Sequence, residues 1–326
     1  MSETLLVANG LELGEGNTPL HSAEQLAEDV GVAELWVKDE GCNPTGSHKD
    51  RLCQQVAARA RMLSRDVVVA SSGNAGLSLS VYARANGVGC VVLTTASTSE
   101  PLVRRIESQG ATVDVCTTSK ARWERMRSMV RKRGLVPASN YLDPPVGSNP
   151  IGVQGFRPIA WEIVRDLGQR CPTVVIVPTM RGDLLWGLWA GFEEARRAGR
   201  VASSPRLVAV EPFPRIQRVL NGADYRAEFD GSTTQHSLGG RSVTWQAVAA
   251  VQESRGCAVV VGDEEAARAQ HQLRGAGYRV EACSAAPLKA ARVLRESGWL
   301  DESACVVLLA TARAASEVEP GRRRAP

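Results

Sequence analysis

The chain has 326 residues, a net charge of +4 at pH 7 and 44% hydrophobic residues, which is typical of a globular protein with one large or two smaller domains. The mild charge, and the lack of any stretch that interleaves basic and aromatic residues, argue against nucleic-acid binding. No apolar run approaches the ~20 residues of a membrane span, so we expect no membrane partner. The basic ending GRRRAP is predicted to be a disordered tail.

The eight cysteines are scattered along the chain. None forms a CxxC pair, and none is spaced from a histidine as metal ligands are, so we expect no metal. Several lie in apolar runs such as GCVVL and ACVVLL, where a reduced cysteine acts as a small hydrophobic residue. Reduced thiols and the absence of a signal-peptide pattern predict a cytoplasmic protein.

Short β-branched runs alternate with longer helical patterns along the whole chain. The predicted strands are 34–38, 66–71, 89–94, 112–116, 173–178, 206–211, 258–262 and 305–311. They are continuously apolar, which is typical of parallel strands covered by helices on both faces. Helical stretches such as DRLCQQVAARARMLS and GLSLSVYARANG lie between them. This alternation predicts a doubly wound α/β fold with right-handed crossovers.

Two polar segments interrupt this pattern. Residues 141–152 are rich in proline and glycine and are predicted to connect two domains. Residues 228–243 are long, polar and poor in secondary-structure signal, so we interpret them as a loop that closes over a site.

The first candidate site loop is NPTGSHKDR, residues 43–51, which leads into a predicted helix. It places Lys49 at a helix N-terminus, where the positive end of the helix dipole disfavours an ammonium group. A lysine with a lowered pKa is what Schiff-base chemistry requires.

Two further loops follow predicted strands and precede predicted helices. SSGNAG (71–76) contains small residues that allow a ligand to approach the backbone, and Asn74 offers a side-chain amide. PTMRGDLLWG (178–187) is a candidate phosphate-binding loop. In open α/β sheets, ligands bind at the carboxyl ends of strands, which is where these loops lie. Taken one at a time, neither loop is a specific signal.

Together, these motifs resemble a known family over nearly the whole chain and in matching order. GEGNTPL (14–20), VKDEGCNPTGSHKDR (37–51) and SSGNAG are similar to segments of fold-type-II pyridoxal-phosphate (PLP) enzymes, above all threonine synthases. SNPIGVQGFRPIAWEI (148–163) and VVLLAT (306–311) are looser matches. The resemblance implies two open, mostly parallel, doubly wound sheets as in the tryptophan synthase β subunit. The larger domain would comprise residues 1–50 and 146–326, and the smaller one residues 51–145.

The resemblance also implies roles for individual residues. Lys49 would carry PLP as a Schiff base, Asn74 would contact the ring oxygen, and Thr311 would face the pyridine nitrogen. The substrate carboxylate would be held by the loop residues Ser71, Ser72, Asn74 and Ala75. The cofactor phosphate would be held by the backbone amides of Met180, Arg181, Gly182, Asp183 and Leu184. Because a hydroxyl does not keep the pyridine nitrogen protonated, this arrangement favours elimination and replacement reactions.

The phosphate-binding loop departs from the family pattern, Gly-x-Gly-Gly, because Met180 and Asp183 replace two glycines. If those positions required positive φ, each side chain would cost about 1 kcal/mol or more. Arg181 would compensate by contacting the phosphate. Alternatively, Asp183 caps the following helix and points away from the cofactor.

Other departures bear on the substrate. His48 replaces the usual Phe or Met, and is either an acid–base group or a helix-packing residue. Gly152 and Gln154 replace an arginine and a glutamate, which removes a candidate partner for a substrate phosphate. Residues 311–314 read TARA instead of Thr-Gly-(His/Asn)-Gly.

These observations predict a PLP-dependent lyase or synthase that carries out elimination or replacement on an O-activated or β- or γ-substituted amino acid. O-phosphohomoserine and the substrate of a specialised paralogue both remain open. The alternatives are a serine/threonine dehydratase-like ammonia lyase and a degenerate, non-catalytic protein of the same fold. The resemblance further implies a homodimer.

Overall fold

The structure is a computed structural model that describes residues 11–314. The basic C-terminal stretch lies outside the described residues. The strands, in chain order, are β1 (Leu20–Ser22), β2 (Glu34–Asp39), β3 (Val67–Ala70), β4 (Cys90–Thr95), β5 (Thr112–Cys116), β6 (Val136–Pro137), β7 (Val174–Pro178), β8 (Arg206–Glu211), β9 (Cys257–Val260) and β10 (Cys305–Ala310). All eight predicted strands are present. β1 and β6 were missed because two or three residues are too short to show a period.

Helices connect the strands as the alternating pattern predicts. They are α1 (Glu24–Val30), α2 (Lys49–Met62), α3 (Asn74–Asn86), α4 (Glu100–Glu107), α5 (Ser119–Arg133), α6 (Pro150–Gln154), α7 (Arg157–Asp166), α8 (Asp183–Arg197), α9 (Ile216–Leu220), α10 (Trp245–Glu253), α11 (Asp263–Gly275) and α12 (Ala282–Glu296). Two short 3-10 helices, Glu40–Cys42 and His236–Leu238, complete the set. Within residues 11–314, no helix has the length and apolar character needed to cross a bilayer.

The strands form two sheets. One has the order β1-β2-β10-β7-β8-β9 and the other β5-β4-β3-β6. Every pairing is parallel except that of β1 with β2. This confirms the predicted fold class of two mostly parallel, doubly wound sheets. The limits proposed for the two domains stay a prediction.

Burial on both faces explains the continuous apolar runs. In β7, Val175 and Val177 pack into one core cluster, and Val174 and Ile176 into the cluster on the opposite face of the sheet. All four side chains are inaccessible to solvent. Burying such a side chain stabilises the fold by about 1.5–3 kcal/mol, so both faces of the sheet depend on the helices that cover them.

The strand order places the predicted site loops side by side. Lys49 follows β2, Thr311 directly follows β10, and the loop of residues 179–182 follows β7. β2, β10 and β7 are adjacent and parallel, so their carboxyl ends meet at one edge of the six-stranded sheet. The SSGNAG loop occupies the corresponding end of β3 in the other sheet. Ligands bind at such edges in open α/β folds, which makes this the candidate site.

Candidate active site

Lys49 is the first residue of α2, and the chain before it is tied to the end of β10. The His48 backbone N–H donates to the Thr311 carbonyl at 2.9 Å, and Ser47 forms an isolated bridge with Ala312. Gly46 turns the loop with a φ of 91°, a conformation that favours glycine. Hydrogen bonds between loops of adjacent strands therefore hold Lys49 beside Thr311.

The surroundings of the Lys49 side chain favour its neutral amine. Burial lowers the pKa of Lys49, the Asp183 carboxylate opposes this shift, and the Arg181 charge adds to it. The Lys49 Nζ atom lies 5.8 Å from the centre of the Phe156 ring. Because only the neutral amine attacks an aldehyde, this environment suits covalent attachment of a carbonyl cofactor.

A buried network of charges anchors α2. Arg51 contacts Glu40 and Glu162 at 2.7 Å each, and Lys38 contacts Glu162 at 2.7 Å. Thr18 joins the network through a 2.7 Å hydrogen bond to Glu40. These residues belong to the stretches GEGNTPL, VKDE, HKDR and AWEI of the family resemblance. Through Arg51, this network holds the helix that begins at Lys49.

The network predicts an acid-dependent loss of stability. Burial alone would raise the pKa of Glu162, but Arg51 and Lys38 lower it from 4.5 to about 2. A folded-state pKa below the unfolded one means that the contribution is present above pH 4.5 and is lost as the pH falls towards about 2. We expect urea midpoints to fall over this range, and to fall less in Glu162→Gln. That comparison separates Glu162 from other carboxyl groups, such as Asp50, whose pKa burial raises to about 6. Parallel curves would contradict the assignment.

The SSGNAG loop is organised from within. The Ser71 hydroxyl accepts hydrogen bonds from the N–H groups of Gly73 and Gly76, both at 3.2 Å. Asn74 and Ala75 begin α3, and their N–H groups donate to no backbone carbonyl of residues 11–314. Free N–H groups at a helix start can hold a carboxylate. Ser71 thus shapes the loop, and its backbone offers the donors.

The structure adds Glu281 to the residues around the SSGNAG loop, although no sequence motif had singled it out. Its carboxyl group hydrogen-bonds to the side chains of Ser237 and Asn74, and burial raises its pKa. Glu281 directly precedes α12, far along the chain from the loop that it contacts, and no pattern in the sequence links the two. Ser72, a predicted carboxylate contact, is exposed, and its role stays a prediction.

The loop after β7 keeps its one essential glycine. Gly182 has a φ of 75° and precedes α8, whereas Met180 and Asp183 do not have positive φ, so the anticipated strain at these two positions does not arise. The N–H groups of Met180, Arg181 and Gly182 donate to no backbone carbonyl in the described part of the chain. Leu184 lies in the first turn of α8. Free N–H groups at a helix start form a cradle for a phosphate.

Asp183 is directed towards Ser148. Its carboxylate accepts hydrogen bonds from the Ser148 N–H at 3.0 Å and from the Ser148 hydroxyl at 2.7 Å. The helix-capping alternative is wrong, because Gly182 occupies the N-cap and Asp183 is the first helical residue. Asp183 thereby connects the loop after β7 to the chain before α6.

Gly182→Ala is expected to destabilise the protein by about 2–3 kcal/mol, because it adds left-handed strain and a steric overlap. A Cβ at this position would lie 2.3 Å from the Ala247 Cβ. Urea unfolding measures the loss. Gly275→Ala is the matched control, since no atom lies within 4 Å of the added carbon and φ is not positive. Equal effects of the two changes would contradict the argument.

Thr311 closes the edge of the site at β10. Its hydroxyl hydrogen-bonds to the Ser284 hydroxyl at 2.9 Å, and its carbonyl faces the His48 Nδ1 at 3.0 Å. A carbonyl only accepts, so Nδ1 carries a proton. Burial and the Lys49 charge lower the pKa of His48, so the ring is neutral, and it packs 5.6 Å from the Phe156 ring. Both the packing and the acid–base interpretation of His48 remain predictions.

The polar segment 228–243 lies against the loop after β7. Arg215, which is fully buried and paired with Glu211, donates to the carbonyls of Thr179 (3.0 Å) and Gly240. The segment has little regular structure beyond its 3-10 helix, as expected for a loop. Arg215 thus joins both loops at one point.

The residues at this sheet edge fit pyridoxal phosphate. An amine that favours its neutral form lies at Lys49, and unpaired backbone N–H groups follow β7. A buried hydroxyl lies at Thr311. The amine suits the aldehyde of pyridoxal phosphate, the N–H groups suit its phosphate, and the hydroxyl suits its ring nitrogen. A separate cavity of about 410 Å³ lies on α8 and α10 between Trp186, Trp189 and Trp245, and contains none of the predicted site residues.

Comparison with known proteins supports this interpretation. The family model of the pyridoxal-phosphate dependent enzymes matches residues 11–312. The chain is 30% identical to the threonine synthase of Methanocaldococcus jannaschii, covering 92% of this chain and 75% of that protein. It is 28% identical to the threonine synthase of Mycobacterium tuberculosis, covering 91% and 81%.

Solved structures show the same fold. Threonine deaminase isoform 2 of Solanum lycopersicum superposes with a TM-score of 0.77 at 20% identity, over 91% of this chain and 79% of that one. The L-serine ammonia-lyase of Rhizomucor miehei superposes with a TM-score of 0.76 at 23% identity, over 92% and 94%. With the family match over residues 11–312, the chain belongs to the pyridoxal-phosphate dependent enzymes, and the predicted cofactor is confirmed.

Proposed function

We propose that the protein is a threonine synthase-like lyase or synthase acting on an amino acid with a leaving group on its β or γ carbon. The observation that carries this proposal is Lys49, whose pKa is lowered by burial and which lies at the same sheet edge as Thr311 and the proposed phosphate cradle at 180–182. The names of the curated relatives, threonine synthases, point to the same reaction class.

Each part of the site would have a separate task. Bound PLP supplies an electron sink that makes the α-proton of an amino acid removable. Lys49 would hold the cofactor and then take that proton with its amine. The N–H groups of Asn74 and Ala75 would hold the substrate carboxylate, and the Asn74 side chain would contact the ring oxygen. Thr311 would face the ring nitrogen without protonating it.

The packing around α6 bears on the leaving group of the substrate. Gly152 lies in α6, where a Cβ would meet the Val56 Cγ2 at 2.7 Å, so α6 packs too closely on α2 for an arginine to enter. Because of this packing, position 152 cannot supply an arginine that would bind a substrate phosphate. O-phosphohomoserine as the substrate would need another cationic partner.

The second candidate is a serine/threonine dehydratase-like ammonia lyase. The names of the structural neighbours, a threonine deaminase and an L-serine ammonia-lyase, favour it. Both reactions require the same Lys49 and the same carboxylate loop, so they differ only in what leaves and what adds. A degenerate, non-catalytic protein of this fold would lack any need for these groups.

A substrate screen of the PLP-loaded protein tests the proposal. We expect O-phospho-L-homoserine or a related activated amino acid to change the absorbance of the bound cofactor and to release the leaving group. Keto acid and ammonia formed from serine or threonine would favour the lyase. Failure to bind added PLP would leave only the non-catalytic protein. We further propose that the protein is cytoplasmic and forms a homodimer. Size-exclusion chromatography with light scattering tests the dimer by measuring its molar mass.

A further inference from the structure

Three side-chain nitrogens that could donate hydrogen bonds are buried together without an acceptor beside the candidate site. They are the Nε atoms of Arg122 and Arg181 and the Nε1 atom of Trp123. Arg181 belongs to the loop after β7, whereas Arg122 and Trp123 lie on the first turns of α5. Buried donors without partners are rare because each costs about 1–3 kcal/mol, and more for a charged group. Such a cluster points to a ligand that supplies the acceptors.

Arg181 is the most strongly buried member. It is 7% exposed, and its guanidinium carbon lies 3.8 Å from the centre of the Trp123 ring. Stacking uses the face of the guanidinium group and leaves its N–H groups free in the plane. Within residues 11–314, no hydrogen bond from this side chain is found.

Trp123 is a firm platform for this stack. Its ring packs against the core cluster on one face of the four-stranded sheet, which includes Leu93 and Met126. Arg122 is fixed by its helix, since its backbone N–H donates to the Thr118 carbonyl at 3.1 Å. Arg181 and Arg122 therefore follow strands of different sheets, and the charge of Arg122 acts on Arg181.

The positive charges of Arg181 and Arg122 exceed the negative charge of Asp183. Burial lowers the pKa of Arg181 to about 9, the Asp183 carboxylate opposes this shift, and the Arg122 charge adds to it. Asp183 already accepts two hydrogen bonds from Ser148. The buried Arg181 and the partly buried Arg122 share one carboxylate that is already engaged, which leaves a demand for an anion.

We propose that Arg122 and Arg181 bind an anionic group on the side chain of the substrate, either a phosphate or a carboxylate. This inference rests on the proposed function and names the substrate class of that site. α5 and the SSGNAG loop both follow strands of the four-stranded sheet, at the carboxyl ends of β5 and β3. The arginines would bind one end of a substrate whose α-carboxylate lies on the SSGNAG loop. They would take the place of the arginine that the packing around Gly152 excludes.

The other source of the same chemistry is the phosphate of PLP. The free backbone N–H groups of residues 180–182 already form a cradle for it. The side chain of Arg181 instead extends to α5, where Arg122 and Trp123 complete the cluster. The geometry therefore favours the substrate anion, and the experiment separates the two sources.

The test compares wild type with Arg181→Gln, Arg122→Gln and Arg181→Lys. Arg125→Gln is the matched control, because Arg125 lies on the same helix but is 59% exposed and pairs with Asp114. Affinities for PLP and for pyridoxal, which lacks the phosphate, are measured by titration of the apoprotein. Absorbance of the loaded protein then reports binding of O-phospho-L-homoserine against L-homoserine, and of L-glutamate against L-glutamine.

We expect wild type to prefer at least one anionic amino acid over its neutral counterpart. Both glutamine variants should lose about 10–100-fold in affinity for that amino acid, with the neutral counterpart and PLP unchanged. Arg181→Lys should lose less, and Arg125→Gln nothing. A weaker affinity for PLP with unchanged affinity for pyridoxal would overturn the proposal in favour of the cofactor phosphate. So would equal losses for neutral and anionic amino acids. If the wild type loads PLP but binds only neutral amino acids, this inference alone is contradicted. If the wild type never loads PLP, the proposed function is contradicted.

Discussion

Replacing Lys49 by alanine is expected to remove the absorbance band of covalently held PLP and to lower turnover by roughly 10³-fold or more, since the side chain is both the attachment point and the proposed base. The physical basis is the pKa of Lys49, which burial lowers, and its position beside Thr311. The band is read from the absorbance of purified protein after dialysis, and turnover from steady-state assays with the substrate found by the screen.

The chain has only five lysines, which makes the control simple. Lys120→Ala and Lys132→Ala alter α5 and should retain both the band and the activity. If Lys49→Ala kept the band, another amine would carry the cofactor and the proposed mechanism would be wrong. If it lost the band but kept the activity, Lys49 would not be the base.

Glu162→Gln should destabilise the protein by about 3–5 kcal/mol, which is typical when one partner of a buried ion pair is removed. Glu162 accepts from both Arg51 and Lys38 at 2.7 Å, and the Lys38 side chain is inaccessible to solvent. The amide cannot neutralise Lys38, and Arg51 keeps only Glu40 as a charged partner, so the desolvation of these cations is no longer fully compensated. Urea unfolding followed by circular dichroism measures the loss.

An exposed pair provides the contrast. Glu100 and Arg104 on α4 are 76% and 63% exposed, so Glu100→Gln should cost no more than about 0.5 kcal/mol. Because α2 begins at Lys49 and contains Arg51, Glu162→Gln should also weaken PLP binding at temperatures where the protein remains folded. A destabilisation similar to that of Glu100→Gln would show that the network does not anchor α2.

Much of the fold followed from local pattern. Each predicted strand is present because a run such as VVIV is apolar at every position, and that pattern requires cover on both faces. Lys49 and Asn74 could be singled out as candidates because glycine-bearing loops lie directly before their helices. Strand pairing cannot be read in this way, since it depends on contacts between residues far apart in the chain.

Residues that act through distant partners were misjudged or missed. The sequence allowed Asp183 to be a helix cap, yet its carboxylate accepts hydrogen bonds from Ser148, 35 positions earlier. Glu281 was overlooked because its contact with Asn74 spans most of the chain. The stacking of Arg181 on Trp123 was not anticipated either, and its expected role at the cofactor phosphate stays a prediction. In each case the partner comes from another element, and no local period encodes it.

The sequence by itself determined the parallel α/β class, the family and the lysine that would carry the cofactor, because these depend on short motifs and on hydrophobic periodicity. Only the tertiary structure decided that β2, β10 and β7 are adjacent, that VKDE and AWEI contribute to a buried charge network, and that Arg181 stacks on the Trp123 ring of α5. The physical reason is that charge pairing, stacking and desolvation depend on distances in space, which the packing of the two sheets sets.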